Sequence, residues 1–224
     1  MIITLDGPAG AGKSSVAKRL AQRLSEKLGK IFEYLDTGSM YRAVTLLGVR
    51  SNVDWQVPVQ LERLAEGATI TIVDGRTLLN GEDITEAVRQ PAITEQSRFA
   101  ANNPVIRQIL VEQQRSIAQT FLAGNKGLVT EGRDQGTVVF PDATCKFFLT
   151  ATPEERTRRR LGEMQQRGIV GEFDEIYRQI TERDARDATR KVGPLYEPPD
   201  AHRIVSDGMT LDEVVEHLVD ICCA

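Results

Sequence analysis

The chain has 224 residues, 41% of them hydrophobic and 27% charged, the balance of an ordinary globular protein with enough apolar side chains for a full core. No stretch approaches the roughly 18 consecutive apolar residues of a membrane span, and the N-terminus lacks the basic, apolar and small-residue pattern of a secretory leader, so the expectation is a cytoplasmic protein without a membrane partner. A net charge of −4 argues against a nucleic-acid binder, and three cysteines beside only two histidines argue against a zinc or disulfide framework.

The first apolar run, Met1–Leu5, has the length of a strand. Gly7-Pro8-Ala9-Gly10-Ala11-Gly12-Lys13-Ser14 follows and fits G-x-x-x-x-G-K-[ST]. Val16, Ala17, Leu20, Leu24 and Leu28 recur at helical spacing, which makes Lys13–Leu28 a helix and places the motif between strand and helix, as a triphosphate cradle requires. Glycines let backbone N–H groups converge on phosphate oxygens and the helix N-terminus adds its positive dipole end. Lys13 bridges the terminal phosphates, and Ser14 offers a hydroxyl to Mg2+. A second strand, Ile31–Leu35, ends in Asp36-Thr37-Gly38-Ser39, and Met40-Tyr41-Arg42 begins a helix. Ligands of an open α/β sheet sit beyond the carboxyl ends of its strands, so Arg42 could clamp an acceptor phosphate; the same run reads equally well as a plain helix cap.

The rhythm breaks over 61–94. Thr69–Val73 alternates, Asp74-Gly75 reads as a hairpin turn, Arg76–Leu79 returns, and Asn80-Gly81 turns again, giving a small antiparallel insertion in a core made of 1–60 and 95–224. Pro104–Leu122 is helical through Ile106, Ile109, Leu110, Ile117 and Phe121. The strand Leu128–Thr130 leads into Glu131-Gly132-Arg133-Asp134-Gln135-Gly136-Thr137, where charges bracketed by glycines at a strand's carboxyl end weigh toward function. Cys145–Leu149 is strand-length, and Thr152-Pro153-Glu154-Glu155 reads as a capping box opening a helix with Arg156, Arg159 and Arg160 on one face. Arg183, Asp187 and Arg190 share a face of the helix carrying Phe173, Ile176, Tyr177 and Ile180. On their own these arginines suit a solvated, ion-paired surface as well as a phosphate site, although guanidinium forks match phosphate bidentately. A last strand, Arg203–Ser206, precedes a helix started by Thr210–Glu213. Strands alternating with helices give an α/β fold: a parallel sheet covered by helices on both faces.

In these runs the chain resembles the bacterial cytidylate kinases, within the nucleoside monophosphate kinases, over nearly its whole length. The carriers, in family order, are Asp6–Lys13, Asp36–Arg42, Asn80-Gly81-Glu82-Asp83-Ile84 with Val88-Arg89, Gly132–Ala143 and Glu182–Asp187. The resemblance implies a P-loop three-layer fold with a five-stranded parallel sheet, a monophosphate-binding insertion at 61–94 and an arginine-rich lid near 153–171. It implies transfer of the γ-phosphoryl group of MgATP to CMP or dCMP by a monomer, with Lys13, Arg42, Arg133 and Arg160 catalytic. ATP would be held by Gly7, Pro8, Ala9, Gly10, Ala11, Gly12, Lys13, Ser14, Ser15, Arg156 and Arg160, with Mg2+ on Ser14. CMP would be held by Asp36, Thr37, Arg42, Ser97, Arg107, Gly132, Arg133, Asp134, Arg183, Asp187 and Arg190. Two positions depart from the family pattern: serine is frequent where Thr37 stands, and Ser97 is one residue farther from Arg107 than expected. The alternatives are a kinase for another monophosphate or a small metabolite such as shikimate, and a nucleotide-dependent binding switch. The switch would carry a guanine-reading N-K-x-D run, which this sequence lacks.

Overall fold

The structure, a computed structural model, describes every residue except Asp74 and Arg167. The Asp74 half of the expected hairpin turn, and Arg167 of the expected lid, therefore lie outside the described residues. The chain forms two compact units, one of Met1–Glu33 with Asn125–Ala224 and the other of Tyr34–Gly124.

The first unit contains β1 (Ile2–Asp6) and α1 (Lys13–Leu28), and the chain then enters β2 (Phe32–Asp36), within which the unit boundary falls. The second unit comprises α2 (Thr37–Arg50), α3 (Pro58–Glu66), β3 (Ile70–Val73), β4 (Arg76–Leu79), β5 (Glu82–Asp83), a 3-10 turn at Ala87–Arg89, α4 (Pro91–Asn102) and α5 (Pro104–Ala123). The first unit resumes with β6 (Gly127–Gly132), a π-helical turn at Gln135–Val139, β7 (Cys145–Thr150), α6 (Pro153–Gln166), α7 (Phe173–Thr189), β8 (His202–Val205) and α8 (Leu211–Cys223).

The main sheet has five strands in the order β2-β6-β1-β7-β8. Strands of a parallel sheet are buried on both faces and so read as continuous apolar runs. Ile3, Leu5, Leu128, Val129, Phe147 and Leu149 are accordingly all buried. β1 pairs in parallel with β6 and β7, and β7 with β8. In this register Asp6 stands opposite both Gly132 and Phe148, so β1 and β6 release their loops at one level while β7 runs on two residues to Thr150. α1 buries Val16, Ala17, Leu20, Ala21 and Leu24 on β1 and β6 and beside α8. Full burial of a leucine is worth about 1.5–3 kcal/mol, so this stripe, and not helix propensity, holds α1 in place. Along the outer seam with α8, Arg19, Arg23 and Lys27 pair with Asp212, Glu216 and Asp220 at 3.5, 2.6 and 3.3 Å.

In the second unit, β3, β4 and β5 form an antiparallel sheet with Ile70 opposite Leu79. Asn80 (φ 51°) and Gly81 (φ 87°) turn the chain with two positive φ angles, the geometry for which Asn-Gly is suited. Gln113 of α5 ties the sheet down, accepting from the Ile70 N–H and donating to the Ala68 carbonyl at 2.8 Å. Asn103 caps α5 by accepting from the N–H groups of Val105 and Ile106.

Two local details differ from expectation. α2 starts at Thr37 instead of Met40, because Asp36 Oδ1 accepts from the Ser39 N–H at 3.0 Å and closes the turn early. The box at Thr152 is half formed: its hydroxyl accepts from the Glu155 N–H at 3.3 Å, but the Thr152 N–H donates to Asp207, leaving Glu155 to Arg158 and Arg159. The box at Thr210 and Glu213 is reciprocal.

Candidate active site

The loop from Gly7 to Gly12 is shaped by backbone conformations open to glycine. Gly7 has φ 149° and approaches β7 so closely that a Cβ would lie 1.9 Å from the Leu149 carbonyl oxygen; Gly10 and Gly12 are also at positive φ. Gly12 caps α1 without a side chain, and the first turn of α1 holds no acid, which leaves the N–H groups and positive end of the helix for an anion. Lys13 is buried, and its Nζ donates to the Pro8 carbonyl at 2.7 Å, inside its own loop. Burial pushes this ammonium down to about 7, with Arg133 and Arg183 acting in the same direction and Glu131 and Asp6 opposing them. A bound polyphosphate would reverse that balance by supplying negative charge to Lys13.

Asp6, fully buried at the end of β1, accepts from the N–H groups of Gln135 and Gly136 at 2.9 and 2.7 Å. Burial raises its carboxyl to about 6, against those two hydrogen bonds. Asp6 thus pins the π-helical turn that follows Arg133 and Asp134 against the start of the triphosphate loop. Sequence reasoning placed Asp6 in a motif without giving it a role; the available signal was an acid closing the apolar run Ile2-Ile3-Thr4-Leu5. Gly136 permits the close approach, since a Cβ there would meet Thr4 Oγ1 at 2.9 Å.

From Gly132, Arg133 reaches α7: its Nε donates to Asp187 Oδ2 at 2.8 Å, and Arg190 Nη1 lies 3.8 Å from Asp187 Oδ1. Burial alone would raise the Asp187 carboxyl, but Arg133, Arg183 and Arg190 outweigh it and hold it below the usual range. Arg190 also donates to the Gly193 carbonyl, and Asp134 is buried. The structure therefore gathers Arg133, Arg183, Asp187 and Arg190 into one electrostatic cluster, of which Arg133 and Arg183 also act on Lys13.

The arginines of α6 separate into different environments. Arg156 is buried, donating to the carbonyls of Ala151 and Ala9. Arg159, named in the sequence only as part of a basic face, donates to Ser206 and brings Nη1 to 3.9 Å from where a Cβ on Gly12 would lie. Arg160 is exposed and pairs with Glu163 at 3.4 Å, as a surface side chain does. Ser14 and Ser15 are exposed in the first turn of α1. Among the described residues no cluster of three His, Cys, Asp or Glu side chains could hold a metal, and both Asp6 oxygens are taken by N–H groups. A lone hydroxyl suits Mg2+, which takes few protein ligands and fills its shell with phosphate oxygens and water.

The remaining expected residues lie in the second unit. Asp36 both caps α2 and pairs through Oδ2 with Arg42 Nη2 at 2.9 Å, so the cap and clamp readings of this run are compatible. Arg42 lies over Gly38, and its Nε is buried with no hydrogen-bond partner. Thr37 is buried as the first residue of α2. Arg107, 3% exposed, stacks over the Tyr41 ring at 5.3 Å and donates to the Ala101 carbonyl, one helical turn beyond Ser97 on α4. The Ser97 hydroxyl donates to Thr94 O at 2.7 Å, leaving its lone pairs as acceptors.

The cytidylate kinase family model matches residues 3–223. The cytidylate kinase of Rhodopirellula baltica is 46% identical over 219 residues, covering 98% of this chain and 91% of that protein. The cytidylate kinase of Caldanaerobacter subterraneus subsp. tengcongensis is 42% identical over 218 residues, covering 97% and 92%. A bifunctional pantoate ligase/cytidylate kinase of Prochlorococcus marinus (strain MIT 9313) is 43% identical over 226 residues, 98% of this chain but 43% of that longer protein. Matched from its first strand to its last helix, the chain belongs to the cytidylate kinase family.

Proposed function

We propose that the chain transfers the γ-phosphoryl group of MgATP to CMP or dCMP, forming CDP or dCDP and ADP. The observation that carries this reading is the register of β1 with β6, which sets the triphosphate loop after Asp6 level with Arg133-Asp134 after Gly132. Family membership supports the same reading.

ATP lies in the loop Gly7–Ser15, its phosphates on the N–H groups of the loop and Lys13. Ser14, with the ATP phosphates, would hold Mg2+, which would supply positive charge to the transferring group. A phosphate oxygen of CMP forms a bond to the γ-phosphorus as the bond from that phosphorus to the β-bridging oxygen breaks, and ADP leaves with the electron pair. The acceptor oxygen is already ionised, so no general base is needed; Arg42, Arg133 and Arg160 contribute by positioning and charge neutralisation. Arg183 and Asp187 take the sugar, with Asp36, Gly132 and the insertion 61–94 shaping the acceptor site. Asp134 accepts from the cytosine amino group while Thr37, Ser97, Arg107 and Arg190 complete the base contacts. Uracil would present a carbonyl to Asp134, leaving buried acceptors facing each other. Residues 153–171 form a lid whose closure excludes water from the γ-phosphoryl group. The protein works as a cytosolic monomer, a reading supported by its size, composition and family.

Asp134→Ala tests the assignment of the acceptor. KM for CMP should rise by ~10-fold or more while KM for ATP stays within about twofold. Unchanged CMP kinetics would remove Asp134 from base reading.

A further inference from the structure

Asp184 stands on α7 between Arg183 and Asp187 and has no part in the function assigned above. Its Oδ2 accepts from Arg156 Nη1 at 2.6 Å, and its Oδ1 is buried without a partner. Arg156 is 4% exposed and joins three segments. Nε donates to the Ala151 carbonyl at 2.9 Å, just past β7, and Nη1 also donates to the Ala9 carbonyl at 3.0 Å, in the triphosphate loop. The loop packs directly on this side chain, since a Cβ on Gly10 would meet Arg156 Cβ at 3.4 Å. A guanidinium held by two carbonyl dipoles in a buried site needs a full countercharge, and Asp184 supplies it. Remove that charge and the guanidinium either leaves, releasing Ala9, or stays as an unneutralised buried cation.

We propose that Asp184 is a positioning residue for the phosphoryl donor: through Arg156 it fixes the Ala9 carbonyl, and so makes the shape of the triphosphate loop depend on the helix that carries Arg183 and Asp187. The inference rests on the reading of Gly7–Ser14 as the ATP site and of α7 as a carrier of acceptor contacts. An acceptor that orders α7 then also orders Asp184, Arg156 and Ala9, so each substrate raises the affinity for the other. Linkage requires the two factors to be equal. Asp184 itself touches neither substrate.

The test is titration of the full-length chain with a fluorescent N-methylanthraniloyl derivative of ATP, with and without CMP, for the parent, Asp184→Asn, Arg156→Lys and the double variant. Asp184→Asn keeps the shape and removes the charge. It should weaken ATP-analogue binding by ~10-fold and abolish the enhancement by CMP, with CMP affinity alone changed less than about twofold. If the pair acts as one unit, the double variant binds no more weakly than Arg156→Lys. Thermal melting separates loss of this positioning from loss of fold. Should Asp184→Asn not fold, Arg156→Lys, which keeps the charge but shortens its reach to Ala9, must show the same selective loss. A folded Asp184→Asn with unchanged ATP binding and unchanged CMP enhancement overturns the proposal, as do effects of the two substitutions that multiply. Failure of the parent chain to bind the analogue would instead overturn the ATP-site reading itself.

Discussion

At Lys13, burial works with the positive charge of Arg133 to bring the ammonium from 10.5 to about 7, even though Glu131 and Asp6 pull the other way. The folded chain holds this proton less tightly than the unfolded chain, so between about pH 7 and 10.5 the unfolded state binds more protons and stability rises with pH. Asp6 has the opposite sign lower down: its carboxyl is raised from 3.8 to about 6, so its contribution to stability is present in acid and lost as pH rises across that interval. The melting temperature of the ligand-free chain, measured against a Lys13→Met variant, should therefore gain on the variant as pH goes from about 7 to 10. Parallel profiles would mean that Lys13 is not held as a strained buried cation. Lys13 itself was legible in the sequence, because phosphate chemistry dictates glycines, lysine and hydroxyl at fixed spacing. Its electrostatic setting was not. Arg133, Arg183 and Glu131 reach it only through the register of β6 and the placement of α7, which no local pattern encodes.

The strand, glycine loop and helix at β1 and α1 behave as one element, in which Gly7 bears the closest approach. Adding a Cβ at Gly7 would bring it 1.9 Å from the Leu149 oxygen at a φ of 149°, so either the loop or β7 must shift. Gly7→Ala should cost about 3 kcal/mol of stability and abolish ATP binding, measured by denaturant unfolding and nucleotide titration. A variant that melts and binds like the parent would show that the loop tolerates displacement from β7. By contrast, the exposed ladder between α1 and α8 is a weak brace; Arg23→Gln removes a solvent-screened 2.6 Å pair and should change stability little. Elements with strong local signals were readable: the apolar strands, the Asn80-Gly81 turn and the cap at Thr210. The π-helical turn was not, since it depends on Asp6, from the far end of the sequence, holding the N–H groups of Gln135 and Gly136. Nor were α3 and α4, whose burial in each case falls on only two residues, Leu61 and Ala65 or Ile93 and Ala100. Half of the Thr152 cap was lost to Asp207, a competitor from the segment after β8.

For the molecule as a whole, the residues proposed to hold the donor all belong to the unit of Met1–Glu33 and Asn125–Ala224. The triphosphate loop by itself specifies only that a nucleotide is held with its terminal phosphate available. On the proposed function, specificity for a cytosine acceptor would come from buried polar groups such as Asp134, whose partners must match in donor and acceptor sense. Release of ADP from MgATP, followed in a coupled assay with CMP, dCMP, UMP, AMP, dTMP and shikimate as separate acceptors, tests this claim most directly. The account predicts that CMP and dCMP turn over with the highest kcat/KM; equal or better turnover of any acceptor without cytosine would contradict it.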